Sequence, residues 1–193
     1  GEPSTGLCRA LLFTMREGKS EMPGDGQHPL GHIANIVAAQ KAGKERGAYS
    51  VCSANRFVLE AAMAQAKKGE DPLLIEATSN QVNPLGGYTG MTPGTFVEYV
   101  RDLANGQGFP FERVVLGGDH AGPNPWRSES AAVAMARSRN LVKELVVAGF
   151  SKIHLDASMH CADDASGDQV PLPGRVIAER AADLCETAES AFE

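Results

Sequence analysis

Four strand-like segments, each followed by a helix-like segment, organise this chain: Ala48 to Ala54, Leu73 to Ser79, Arg113 to Asp119 and Lys152 to Ser158. Such alternation argues for a parallel sheet, because a parallel neighbour is reached only through a crossover, usually a helix. Sites in these sheets gather where strands end and the following loops begin. That rule directs the search for function to Glu76, Asp119, His120, His154 and Asp156.

The segments between strands carry helix signals. Ile33, Ile36 and Val37 recur at helical spacing and predict a helix over 33–40. Arg56 to Lys68 has a helix-forming composition closed by Gly69, and Thr92-Pro93 caps a helix that continues through Leu103. A fourth helix is expected from about Ser128 to Ala148, and a last one from near Pro173. Residues 1–27 show no sustained period and read as a flexible extension, which leaves 28–193 as the ordered unit. Within the extension, Gly18-Lys19-Ser20 looks like the end of a phosphate-binding P-loop. Phe13 stands where that motif needs its first glycine, so no nucleotide cofactor is expected.

Composition removes several classes of partner. A formal charge of -6 gives no general attraction to nucleic acid or to an anionic membrane, and no apolar run approaches the ~20 residues needed to cross a bilayer. Cys8, Cys52, Cys161 and Cys185 are widely spaced, with no C-x-x-C pair. The expectation is a reducing, cytoplasmic setting, with Cys52 as a small buried residue.

Alternation within the strands sorts the polar residues onto one face. Ile153, Leu155 and Ala157 oppose His154, Asp156 and Ser158; Leu73, Ile75 and Ala77 oppose Leu74, Glu76, Thr78 and Asn80. If the apolar sets face helices, the polar sets face a shared interior, as in a barrel that turns polar near its catalytic end. A carboxylate there needs a cation, a metal or hydrogen-bond donors. Glu76, Asp119 and Asp156 are therefore the candidate catalytic acids, and His120, after two glycines, is the candidate metal ligand. His154 reads as a hydrogen-bonded interior histidine, and His160 as facing solvent or ligand. His28 and His32 precede the core.

The long loop from Asn80 to Met91 should bind or cover something. Gly86-Gly87-Tyr88-Thr89-Gly90 is rich in amides that could hold a phosphate, and Asn80, Gln81 and Asn83 suit sugar hydroxyls as donors and acceptors. Asn80, Gln81, Asn83, Gly87, Tyr88, Thr89, His154 and Ser158 are accordingly the candidate substrate-binding residues. Trp126 is expected to pack on the rim.

Several of these stretches match a known pattern: Ser50-Val51-Cys52-Ser53-Ala54, Ile75-Glu76-Ala77-Thr78-Ser79-Asn80-Gln81-Val82-Asn83, Leu116-Gly117-Gly118-Asp119-His120 and Lys152-Ile153-His154-Leu155-Asp156-Ala157-Ser158-Met159. With Gly86-Gly87-Tyr88-Thr89-Gly90-Met91-Thr92-Pro93 between them, they closely resemble the GatZ/KbaZ family from Ile33 to Glu193. The resemblance implies a (β/α)8 TIM barrel, of which 28–193 supplies about the first four β/α units. It implies a place in galactitol, tagatose or N-acetylgalactosamine breakdown, as a non-catalytic subunit supporting a class II tagatose-bisphosphate aldolase. Relatives without such a partner look like metal-dependent 4-epimerases of tagatose 6-phosphate. Older kinase labels find no support in an intact nucleotide motif here.

The same stretches are distantly similar to catalytic class II aldolases, in which an Asp-His pair after a barrel strand supplies a proton-transfer acid and a metal ligand. By that similarity Asp119 is the acid/base and His120 a zinc-type ligand, the remaining metal histidines lying on later strands. The implied partners are a ketose phosphate and a class II aldolase catalytic subunit. Two unpaired sheet edges also predict an oligomer.

Overall fold

The computed structural model describes residues 29–165 and 170–193; the expected extension over 1–27 and its Gly18-Lys19-Ser20 turn lie outside them. Nine principal elements follow in order: α1 (Pro29–Lys41), β1 (Ser50–Cys52), α2 (Arg56–Ala66), β2 (Leu73–Thr78), α3 (Pro93–Gln107), β3 (Val114–Ala121), α4 (Ala131–Val147), β4 (Lys152–Leu155) and α5 (Gly174–Phe192). The strands form one parallel sheet in the order β1-β2-β3-β4. Each strand lies beside the next in sequence, as β/α repeats of a barrel wall require.

Caps set the helix starts. Asn55 accepts from the amides of Phe57 and Val58, Thr92 from Thr95, and Ser130 from Val133. The fourth helix thus begins three residues later than its expected start at Ser128, because Asn124–Trp126 forms a short 3-10 turn before Ser130 caps it. β1 is also shorter than expected. It pairs on one side only, through Ser50 to Cys52, before Ser53 turns toward the cap.

The apolar strand faces meet the helices as their alternation demands. Leu73, Ile75 and Ala77 are buried with Leu59 and Met63 of α2, Phe96 and Val100 of α3, and Leu141 and Leu145 of α4. Burying a Leu, Ile or Phe side chain is worth about 1.5–3 kcal/mol, so this layer fixes which face each strand turns outward. Gly118 lets α4 close in, since a Cβ there would stand 2.9 Å from Leu145 Cδ1. The opposite face carries Cys52, Glu76, Lys152, Asp119 and His154. Among the described residues no helix is long and apolar enough to cross a membrane.

Candidate functional site

The polar face is built in two tiers. The lower tier is a row in register across all four strands: Cys52, Glu76, Gly117 and Lys152. Glu76 is the buried member, its side chain 6% exposed. It accepts hydrogen bonds from Ser50 Oγ and from Lys152 Nζ, which reaches it across β3. Gly117 makes that reach possible, because a Cβ on it would stand 2.7 Å from Glu76 Cγ. The expectation that Glu76 needs a partner is met by Lys152. Sequence reasoning had not singled out this lysine, although it stands two residues before His154 and four before Asp156, in phase with both.

The upper tier breaks strand alternation. Gly118 pairs with Ile153 and Ala121 with Leu155, so Asp119 and His120 together oppose the single residue His154. Two residues against one is a β-bulge. His120 carries a left-handed φ of 49°, a conformation uncommon outside glycine but several-fold enriched for histidine. The bulge lets neighbours in sequence both reach the polar face. Ser79 holds it: its amide donates to the Asp119 carbonyl and its hydroxyl to the His120 carbonyl.

Two acid-imidazole pairs result. His120 Nδ1 donates to Asp156 Oδ2 at 2.7 Å, and His154 Nδ1 to Asp119 Oδ1 at 2.8 Å. Ionised carboxylates only accept, so Nδ1 carries the proton in each ring and the Nε2 lone pairs are left. His120 Nε2 is 3.6 Å from Asp119 Oδ2, and the two rings stand 4.9 Å apart between centroids. One donor atom from each of Asp119, His120 and His154 lies within 4.8 Å of the others.

These contacts perturb the ionisations. Burial pushes the Asp156 carboxyl up, but bonds from the Ser158 hydroxyl, His120 and the Ser158 amide outweigh it and hold it down at about 2. Asp119 is likewise below its usual value: burial raises it, and His154 and the charge of His120 more than reverse this. His120 is raised, chiefly by its bond to Asp156. Cys52 is pushed up to about 11, by burial and then by Asp119. Its thiol lies 3.6 Å from Asp119 Oδ2. The residue is exposed rather than buried as expected, because it sits on the uncovered polar face of an edge strand.

The β2–α3 loop departs from the expected phosphate cradle. The amides of Gly86, Gly87, Tyr88 and Thr89 already donate to Asn83 O, Asn83 Oδ1, Asn80 O and Gln81 O. These four are committed within the loop. Asn83 is buried, accepting also from Leu85 and donating to Ser79 O; Gln81 Oε1 accepts from Thr78, and Thr89 Oγ1 donates to Gln81 O. Gly87 has φ 52°, and a Cβ there would meet the Asn80 carbonyl at 2.6 Å, so glycine serves close packing. Asn80 and Tyr88 remain exposed. They border a cleft of about 590 Å³ that opens toward Trp126, which is itself buried, as expected of a packed rim residue.

The remaining candidates fall outside the tiers. Ser158 donates both its amide and its hydroxyl to Asp156 Oδ1 and so orients that acid. His160 Nε2 donates to the Val170 carbonyl, closing the β4–α5 connection. His28 lies outside the described residues.

The family model for the D-tagatose-1,6-bisphosphate aldolase subunit GatZ/KbaZ-like family matches residues 33–193. Proteins named D-tagatose-1,6-bisphosphate aldolase subunit GatZ are 56% identical over 157 residues in Klebsiella pneumoniae and 57% identical over 158 residues in Escherichia coli. These matches cover 81% and 82% of this chain but 36% and 37% of the relatives. The chain thus spans little more than a third of their length. A crystal structure of a probable tagatose 6 phosphate kinase from Sinorhizobium meliloti is similar at TM-score 0.71 and 49% identity, over 76% of this chain and 37% of that one. With four parallel strands each followed by a helix, this likeness gives the fold as TIM-barrel type, the chain supplying about four β/α units.

Proposed function

Because the chain belongs to the GatZ/KbaZ-like family, we propose that it forms part of a barrel subunit supporting a class II D-tagatose-1,6-bisphosphate aldolase, with a ketose-phosphate pocket over its upper tier. The observation that carries the reading is the convergence of Asp119–His154 and Asp156–His120 at the strand ends, on the face turned from the helices. Such ends are where barrel sites lie.

The residues divide the work by position. Asp119 faces the open side and is the proton-transfer group; Asp156, held by Ser158, orients His120. Glu76 is balanced by Lys152 beneath them, so its part is to keep the floor of the pocket neutral. Asn80 and Tyr88 edge the adjoining cleft and would meet sugar hydroxyls, while Gln81, Asn83, Gly87 and Thr89 shape the loop that carries them. A divalent cation of the zinc type would be held through His120, where it would supply Lewis-acid polarisation of a ketose carbonyl.

The test is made on the complete protein that carries this chain. Co-expression with a class II aldolase catalytic subunit should prolong aldolase activity, and unchanged lifetime of that activity would defeat the subunit reading. If the protein alone instead converts tagatose 6-phosphate to its C4 epimer, with loss on chelation and on Asp119→Asn, a 4-epimerase reading replaces it.

A further inference from the structure

We infer that Ser79 is a positioning residue: by clamping the two peptide groups that flank His120 it holds this ring in the tautomer protonated on Nδ1, and through Asn83 it ties the ring to the loop bordering the cleft. The clamp rests on the ketose-phosphate reading for its purpose, but not for its geometry.

Three observations carry it. Ser79 is buried one residue beyond β2 and spends both its donors on β3, the amide on the Asp119 carbonyl at 3.2 Å and the hydroxyl on the His120 carbonyl at 2.7 Å. The first carbonyl belongs to the peptide group before His120 and the second to the one after it. Orienting the first sets φ of His120 and orienting the second sets ψ, the two soft backbone torsions of the residue. His120 needs both held, because its φ of 49° lies in the left-handed region that sterics make uncommon outside glycine.

Asp156 is registered separately against the same segment. Its amide donates to the Ala121 carbonyl at 3.1 Å, and its Oδ2 accepts from His120 Nδ1 at 2.7 Å. A ring whose backbone drifts loses a carboxylate that stays in place, and with it the preference for a proton on Nδ1. Finally, the Ser79 carbonyl accepts from Asn83 Nδ2 at 2.8 Å, while Asn83 Oδ1 accepts from the amides of Leu85 and Gly87. One buried asparagine side chain thus joins the clamp to the turn that carries Tyr88.

The experiment is nitrogen-15 NMR of the imidazole nitrogens in the complete, metal-free protein, at a pH above the histidine range, with the two rings assigned through His120→Gln and His154→Gln. Both rings of the parent should carry the proton on Nδ1. Ser79→Ala should shift His120 toward the Nε2-protonated form, the population ratio changing about tenfold for one lost hydrogen bond. His154 should stay as it was, because its partner Asp119 keeps the bond from the Ser79 amide. Ser79→Thr, which retains a hydroxyl, should restore His120, and Asn83→Asp, which keeps the acceptor but loses the donor, should shift it as Ser79→Ala does. A parent-like His120 in Ser79→Ala or in Asn83→Asp, an equal change at both rings, or a Ser79→Thr ring that matches Ser79→Ala would each overturn the clamp. The readout involves neither turnover nor an aldolase, so the clamp and the subunit reading fail separately.

Discussion

Replacing Gly117 by alanine should destabilise the protein through a single neighbour. The new Cβ would stand 2.7 Å from Glu76 Cγ and Oε1 and 3.1 Å from Cδ, whereas relaxed carbon contacts lie near about 3.5–4.0 Å. Gly117 is central in β3, paired on both sides, so its backbone cannot retreat. Glu76 must move instead, and its carboxylate is held by Ser50 and Lys152. Overpacking of this kind costs about 1–3 kcal/mol, and stripping a buried charge of its partner costs about 3–5 kcal/mol. Lys152 is 36% exposed, so water softens the second figure and the sum is about 2–4 kcal/mol.

The decisive measurement is a double-mutant cycle by urea denaturation with Gly117→Ala, Glu76→Ala and the pair. In the Glu76→Ala background the Cβ has room, and alanine in place of glycine within a strand should gain up to about 0.5–1 kcal/mol. A coupling of about 2.5–5 kcal/mol is therefore expected between the two sites. If Gly117→Ala costs the same in both backgrounds, the steric account of the lower tier is wrong.

Asp164 supplies a pH prediction: Arg180 holds its carboxyl below the usual range through bonds at 2.6 and 3.1 Å. A depressed folded value means stability is present above the unfolded pKa of about 3.9 and lost as pH falls through the folded one. Asp164→Asn should then lower the urea midpoint at neutral pH, equivalent to about 1–3 kcal/mol, and flatten the acid limb of stability below about pH 4; an unchanged acid limb would contradict the linkage. Gly118→Ala meets only the tip of Leu145, so its cost should stay below about 1.5 kcal/mol, in contrast to Gly117→Ala. Asn83→Ala leaves the amides of Leu85 and Gly87 without their acceptor and should cost about 2–4 kcal/mol, with faster proteolysis between residues 80 and 91. Proteolysis at the wild-type rate would mean that the loop does not depend on Asn83.

The strand phases were legible because apolar and polar residues alternate along each strand and the apolar set packs toward the helices: Ile75 beside Glu76, Ile153 beside His154. The bulge was not, since alternation assigns Asp119 and His120 to opposite faces and only the pairing with His154 reveals otherwise. Lys152 escaped because a lysine at a strand's first residue looks like an exposed edge charge. Its target, Glu76, lies 76 residues away in sequence. The glycine loop misled for a related reason: composition counts amides but not their acceptors, and Asn83 and the carbonyls of Asn80 and Gln81 take them.

The two tiers also constrain which chemical groups the polar face can accept. Glu76 and Lys152 cancel in the floor, but Asp119 and Asp156 above them are both held ionised, opposite two imidazoles of which His120 has a raised affinity for protons. A phosphate dianion brought onto that tier would meet two carboxylates, a repulsion of about 4 kcal/mol per unit pair at 4 Å for an effective dielectric near 20. A carbonyl or hydroxyl carries no such penalty and finds donors and acceptors there. The tier is therefore better suited electrostatically to neutral carbonyl and hydroxyl groups than to a phosphate dianion. The amides of Gly86, Gly87, Tyr88 and Thr89, which might have drawn a phosphate close, are committed to acceptors within their own loop and so do not offset that repulsion.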